Sequence, residues 1–208
     1  MSDLTKRELL TFLGGSAAAL AAGPVWAQGQ KRGGTVVIPL IGGTPSSLNP
    51  AINVGYLTAM PGTQLFASPL RFDANWKPQP YLARSWEVSA DGLSLTLKLV
   101  PGATFHDGKP ITSADVAFSV MALKKNHPFQ QIFAPVTGVD TPDAGTAILR
   151  LSRPQAALLL AMSPALCPIL PKHVFDDGRD LRTHPANIAP VGSGPFRFVE
   201  FTPGQQIC

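Results

Sequence analysis

The stretch from Tyr81 to Leu123 constrains this chain more than any other, because three kinds of local signal follow one another in it without conflict. Trp86 and Val88 alternate with polar neighbours, and Leu93, Leu95, Leu97 and Leu99 alternate with Ser94, Thr96 and Lys98. A period of two places the four leucines on one face of a strand. Between the two runs stands Asp91-Gly92, a pair that accepts positive φ and predicts a hairpin. Pro101-Gly102 ends the second strand, and His106 to Pro110 predicts another turn. Thr112 and Asp115 then have the spacing of a capping box, predicting a helix from Ser113 to Asn126 that His127-Pro128 stops.

The run ARSWEVSADGLSLTLKLVPGATFHDGKPITSADVAFS resembles the characteristic region of the family 5 extracellular solute-binding proteins, the peptide- and nickel-type receptors of ABC importers. The likeness extends over most of the chain after Gly33 and takes in Leu48-Asn49-Pro50 and the segment Gly192-Ser-Gly-Pro-Phe196. It implies an α/β (mixed α+β) fold of the type II periplasmic binding protein kind. Residues 28–58 and 186–208 would belong to the first lobe, with a smaller α+β subdomain inserted over 59–185. Members of the family are longer, with a second lobe after the 192–196 segment, so the resemblance also implies that this lobe is missing here.

Residues 1–27 form a separate, address-like segment. Lys6-Arg7 precedes an apolar, small-residue run from Leu9 to Ala22, and Val25-Trp26-Ala27 offers a cleavage pattern that leaves Gln28 first. The apolar run is too short for a membrane anchor and contains Gly14-Gly15. Lys6-Arg7 resembles a twin-arginine motif with lysine in the first place, which leaves the general secretory route open as well. No cysteine stands near the cleavage point, so the expectation is a soluble periplasmic protein without a lipid anchor. The 17 basic and 13 acidic residues give a net charge of +4. After Gln28 the basic residues are scattered, with only Lys31-Arg32 and Lys124-Lys125 adjacent and no interleaved aromatics, so nucleic acid is not an expected partner.

The remaining elements read less strongly. Thr35 to Leu40 is β-branched and predicts a strand leading into the loop from Ile41 to Pro50. On its own that loop is an ordinary strand-to-helix connection. The resemblance instead implies that Thr44, Pro45 and Ser46 lie at the mouth of a ligand cleft. Gly55 to Phe66 predicts a weak helix broken at Pro61-Gly62. Ser68–Asp73 and Trp76–Pro80 resemble the family's short strand and the loop that follows it. Val136–Asp140 and Thr146–Leu151 predict two strands, and Arg153-Pro154 an apolar helix through Met162. Pro164, Pro168 and Pro171 predict an irregular segment, and Leu170–Phe175 resembles the short family element before the return to the first lobe. Phe196 and Phe198 alternate with Arg197 and Val199, predicting a strand that reaches Phe201. The resemblance implies that Gly192, Ser193 and Gly194 make a tight crossover close to the ligand.

Little in the chain points to catalysis. Ser193 sits between glycines, but Val191 and Pro195 occupy the places where a nucleophile elbow needs glycine. His106, His127, His173 and His184 lack metal-type spacing, and His106-Asp107 reads as turn hydrogen bonding. No phosphate loop or dinucleotide fingerprint is present, so neither an enzyme nor a cofactor or metal is expected. Cys167 and Cys208 leave a disulfide open in an oxidising compartment, although PALCPILP around Cys167 reads as buried. The resemblance implies a monomer that binds a peptide or another small solute, such as a nickel chelate, an opine or an oligosaccharide. Its further partners would be an ABC permease and, through it, the ATPase. The alternative is an exported adaptor or chaperone that binds no solute and works through uncovered apolar surface.

Overall fold

Strand β4 (Ser94–Leu99) is one of two central strands that carry a neighbour on each edge. In the computed structural model, which describes residues 34–208, it lies in a four-stranded antiparallel sheet. The other strands are β3 (Ala83–Val88), β5 (Val136–Asp143) and β6 (Thr146–Leu151), in the order β3-β4-β6-β5, so that β4 pairs with β3 and β6. Trp86, Leu97 and Ala147 stand in one row across three strands, and Val88, Leu95 and Leu149 in the next. Leu95, Leu97 and Leu99 are buried with Ala147, Leu149 and Leu151, as the alternation requires. Leu93 lies outside the strand and is exposed, so the buried leucine face begins one step later than its sequence pattern implies. Gly92 takes φ +69° in the β3–β4 turn, where Asp91 Oδ1 accepts from the Leu93 amide at 2.9 Å.

Helix α2 (Ser113–Asn126) has the bounds that its flanking signals predict. Asp115 Oδ2 accepts from both the amide and the hydroxyl of Thr112, each at 2.8 Å, which ties down the first turn. Val116, Val120 and Leu123 recur at helical spacing, are buried, and face the sheet through β5 and β6. At the far end the His127 amide donates to the Leu123 carbonyl at 3.0 Å. His127 is itself buried, and its Nδ1 accepts from the Phe129 amide at 3.0 Å. Asp115 Oδ1 also accepts from the Lys172 amide at 3.0 Å, fastening α2 to α4 (Lys172–Phe175).

Helix α1 (Tyr56–Leu65) runs unbroken through Pro61-Gly62, contrary to the sequence expectation. Pro61 removes one backbone donor, yet the turn-like dipeptide serves tertiary contact instead. A methyl at Gly62 would lie 2.6 Å from Pro50 Cγ and 2.8 Å from the Leu48 carbonyl oxygen, so only glycine lets the helix approach that segment. After α1 comes a hairpin of β1 (Leu70–Phe72) and β2 (Pro78–Pro80), whose turn holds Trp76 at φ 58°. Helix α3 is only Ala157–Ala161, shorter than the expected span from Arg153. Pro154 packs instead over the β3–β4 turn, where a methyl on Gly92 would meet its Cβ at 3.1 Å. Strand β5 continues to Asp143, three residues past its expected end, through register irregularities.

Two expected strands are absent from the ladders. Gly34–Leu40 has no regular secondary structure, and Val36, Val37 and Ile38 are exposed. β-branched residues favour a strand only where another strand pairs with them, and the described ladders do not include this segment. Phe196 to Glu200 is likewise outside any strand; only β7 (Phe201–Thr202) pairs, with β8 (Gln206–Ile207). Leu40–Cys208 makes one compact unit, and the described residues 34–39 lie outside it. The segment 1–27, with its cleavage point at Ala27 and Gln28, lies outside the described residues. No described helix is long and apolar enough to cross a membrane.

The strand faces make a direct comparison possible. Leu97→Ala removes a fully buried side chain and is expected to cost about 2–5 kcal/mol, whereas Thr96→Ala on the opposite face should cost less than about 1 kcal/mol. Urea titration of both variants checks this, and equal midpoint shifts would contradict the assignment of faces.

Candidate functional site

Of the two candidate segments, 192–194 lies on the end of α1, while 44–46 stands just upstream of Leu48 and Pro50, which pack on Gly62 of that helix. Upstream, Asn49 is fully buried and its amide group is satisfied at both ends. Its Oδ1 accepts from the Ala51 amide at 2.9 Å, and its Nδ2 donates to Asn187 Oδ1 at 2.9 Å. Asn187 Nδ2 in turn donates to the Leu181 carbonyl at 2.7 Å, and the Asn187 carbonyl accepts from the Leu48 amide at 2.7 Å. The Leu48-Asn49-Pro50 motif is therefore a fastening between the start and the return of the chain. Immediately before it Pro45 is buried, while Thr44 and Ser46 are exposed. Thr44 lies beside the β7–β8 turn, its Oγ1 being 3.9 Å from where a methyl on Gly204 would sit.

Gly192, Ser193 and Gly194 lie against the C-terminal end of α1. A helix end leaves carbonyls without intrahelical donors. Here the amides of Ser193 and Gly194 both donate to the Leu65 carbonyl, at 3.0 and 2.8 Å, and the Phe196 amide donates to the Gln64 carbonyl at 3.1 Å. Ser193 Oγ accepts from the Ala67 amide at 3.2 Å. A methyl at Gly192 would lie 1.9 Å from the Leu65 oxygen, and one at Gly194 would lie 2.2 Å from the Gln64 oxygen. Backbone-to-backbone contact of this closeness admits no side chain. From the other side His106 engages the same segment: its amide donates to the Gly192 carbonyl at 2.8 Å and its Nε2 to the Gly194 carbonyl at 3.0 Å.

The four histidines each bond to backbone or to a carboxylate. His106 does not bond within its own turn, as its neighbour Asp107 had suggested, but reaches across 88 residues to Gly194. Asp107 Oδ1 accepts from the Lys109 amide at 3.2 Å, and Oδ2 accepts from His173 Nε2 at 2.7 Å. Burial pushes the Asp107 carboxyl up, but the His173 and Lys109 hydrogen bonds outweigh it and hold the group below the usual carboxylate range. His184 Nδ1 accepts from the Ala186 amide at 3.1 Å while Nε2 donates to Asp177 at 3.2 Å. Among the described residues no three His, Cys, Asp or Glu side chains are grouped to hold a metal ion. Cys167 is buried, which pushes its thiol pKa up, and Cys208 is exposed; the two are unpaired.

Two surface grooves lie elsewhere. One of about 370 Å³ adjoins the start of α2, between Lys109, Asp115, Lys172 and His173. The other, of about 790 Å³, follows the outer side of α2 past Phe118, Met121, Phe175 and Arg179. Neither is lined by residues of 44–46 or 192–194. Sequence motifs thus flagged Asn49 and Gly192–Gly194 but not their partners Asn187, Ala67 and His106. Those pairings join positions 88 to 138 residues apart, and no short-range pattern encodes them.

Comparison with known proteins agrees with this architecture. The glutathione-binding protein GsiB of Pectobacterium atrosepticum is 29% identical over 205 residues, covering 96% of this chain and 37% of that protein. The oligopeptide-binding protein AppA of Bacillus subtilis, solved with a nonapeptide, superposes with a TM-score of 0.73 at 25% identity, over 79% of this chain and 34% of that one. NikZ of Campylobacter jejuni, solved with Ni(L-His), gives a TM-score of 0.69 at 30% identity, over 76% and 31%. The chain spans about a third of the length of these relatives. Residues 77–208 match the family described as bacterial extracellular solute-binding proteins, family 5 Middle, and the chain belongs to that family.

Proposed function

We propose that this chain is the N-terminal portion of a periplasmic solute receptor serving an ABC importer, with a peptide as its solute. The family match over residues 77–208 carries the reading. Peptides are favoured over other solutes because one relative is named for glutathione and another is solved with a nonapeptide. In this reading 28–58 and 186–208 form the first lobe, 59–185 is an inserted subdomain, and the protein acts as a monomer that presents its solute to the permease.

The ligand-facing groups in this reading are the exposed Thr44 and Ser46 with the backbone around Pro45, and the crossover at Gly192, Ser193 and Gly194. An extended peptide is recognised chiefly through its main chain, which needs free donors and acceptors along such loops. The Ser193 and Gly194 amides already serve the Leu65 carbonyl, and both glycine carbonyls already serve His106. The crossover therefore offers few open polar groups, each hydrogen bond to an exposed ligand contributing a net of about 1 kcal/mol. Exposed Tyr56, Met60, Phe196 and Val199 favour the second reading, an adaptor that binds apolar protein surface.

Titration calorimetry of the 208-residue chain against short peptides is expected to give millimolar affinity or weaker, about 4 kcal/mol of binding free energy at most. The same residues joined to the remaining length found in relatives should bind some peptides at micromolar concentration or better. No peptide binding by that longer protein, with binding of a nickel–histidine complex instead, would overturn the peptide assignment. Micromolar binding by the 208-residue chain would mean that the ligand groups lie elsewhere.

Export forms part of the same proposal. Mass spectrometry of the periplasmic fraction should find chains beginning at Gln28, after cleavage at Ala27. Intact Met1 on most molecules would contradict it.

A further inference from the structure

We infer that His106 is a positioning residue, the latch that holds the Gly192–Gly194 crossover against the end of α1. The inference does not depend on what solute is bound, or on whether one is.

The crossover is gripped from two sides. Its amides at Ser193 and Gly194 point to the Leu65 carbonyl, and its carbonyls at Gly192 and Gly194 accept from the backbone and ring of His106. A methyl at Gly192 would lie 3.2 Å from His106 Cε1, closer than ordinary van der Waals contact, so the ring too crowds any side chain at that position. Because a carbonyl only accepts, Nε2 carries the ring proton. The Nε2 bond fixes the ring orientation, since turning the ring over would place carbon against the Gly194 oxygen and leave that acceptor unmatched; Nδ1 is buried with no hydrogen-bond partner.

The turn that delivers the ring is itself anchored. The Phe105 amide donates to the Lys109 carbonyl at 2.8 Å, and Gly108 takes φ +85° to close the turn. Phe105 is buried with an edge-on contact to the His173 ring, at 5.6 Å between centroids, and Asp107 is bonded to the same ring. A displacement of this turn therefore carries the crossover with it, and His106 is the residue through which the motion passes.

Amide hydrogen exchange on the full chain tests the assignment. His106→Phe keeps an aromatic ring but removes the donor, and should speed exchange at Ser193 and Gly194 by about tenfold or more. The amides of Leu95–Leu99 and Ala147–Leu151 should stay within about twofold of the unmodified chain. His106→Gln places an amide donor near Nε2 and should restore protection to within about threefold. Unchanged exchange at Ser193 and Gly194 in His106→Phe would overturn the latch. So would a uniform loss of protection across the sheet in both variants, which marks a general packing role. Nitrogen–proton correlation NMR of the unmodified chain gives an independent reading of the ring. A neutral His106 with its proton on Nδ1 would overturn the proposal as well.

Discussion

The seating of Gly192–Gly194 on the last carbonyls of α1 is the contact on which the rest of this structure depends. Segments that leave and re-enter the same neighbourhood must be joined where they meet, and here the joint is made from backbone. The Gln64 and Leu65 carbonyls receive three amides from the returning chain, and the Ala67 amide reaches Ser193 Oγ. Just beyond, the Ala67 carbonyl accepts from Ile169 and the Met162 carbonyl accepts from Leu70, so the outgoing and returning segments are stitched side by side. On the far side of α1, Gly62 admits Leu48 and Pro50, whose neighbour Asn49 is bonded to Asn187. Side chains at Gly62, Gly192 or Gly194 would force these segments apart.

What lies between those segments largely organises itself. Sheet β3-β4-β6-β5 and helix α2 share one apolar interface, and each of its elements has a local cause: Asp91-Gly92 for the turn, alternation for the strands, Asp115 for the helix start. This part of the fold was legible in the sequence because hairpins and caps are encoded within a few residues. The joint was legible only as motifs. Pro61-Gly62 reads as a helix break locally but acts as a docking notch, since the deciding atoms belong to Leu48 and Pro50. The expected strands at Thr35–Leu40 and Phe196–Phe201 failed for a related reason. Apolar alternation states a willingness to pair, while pairing itself needs a strand alongside.

The candidate ligand segments show the same division between chemistry and placement. Resemblance pointed to Thr44–Ser46 and Gly192–Gly194, and both prove to be parts of closely fastened loops. Pro45 is buried and leaves the hydroxyls of Thr44 and Ser46 in solvent. The hydrogen bonds of the crossover are made within the chain, by α1 and His106. Such a segment is preorganised, and preorganisation lowers the cost of any contact that it makes later. The histidines illustrate how residue type alone misleads. All four have the chemistry for catalysis or metal binding, yet His106, His127, His173 and His184 each hold together segments of backbone or a carboxylate.

If the joint is the governing contact, a single methyl group there should outweigh the same methyl elsewhere. Gly194→Ala and Gly138→Ala make that comparison, since a methyl at Gly194 would lie 2.2 Å from the Gln64 oxygen while at Gly138 nothing lies within 4 Å. Denaturant titration of both variants should show Gly194→Ala destabilised by about 3 kcal/mol or more and Gly138→Ala within about 0.5 kcal/mol of the unmodified chain. Comparable stabilities for the two variants would contradict the claim that the seating of the crossover on α1 holds this fold together.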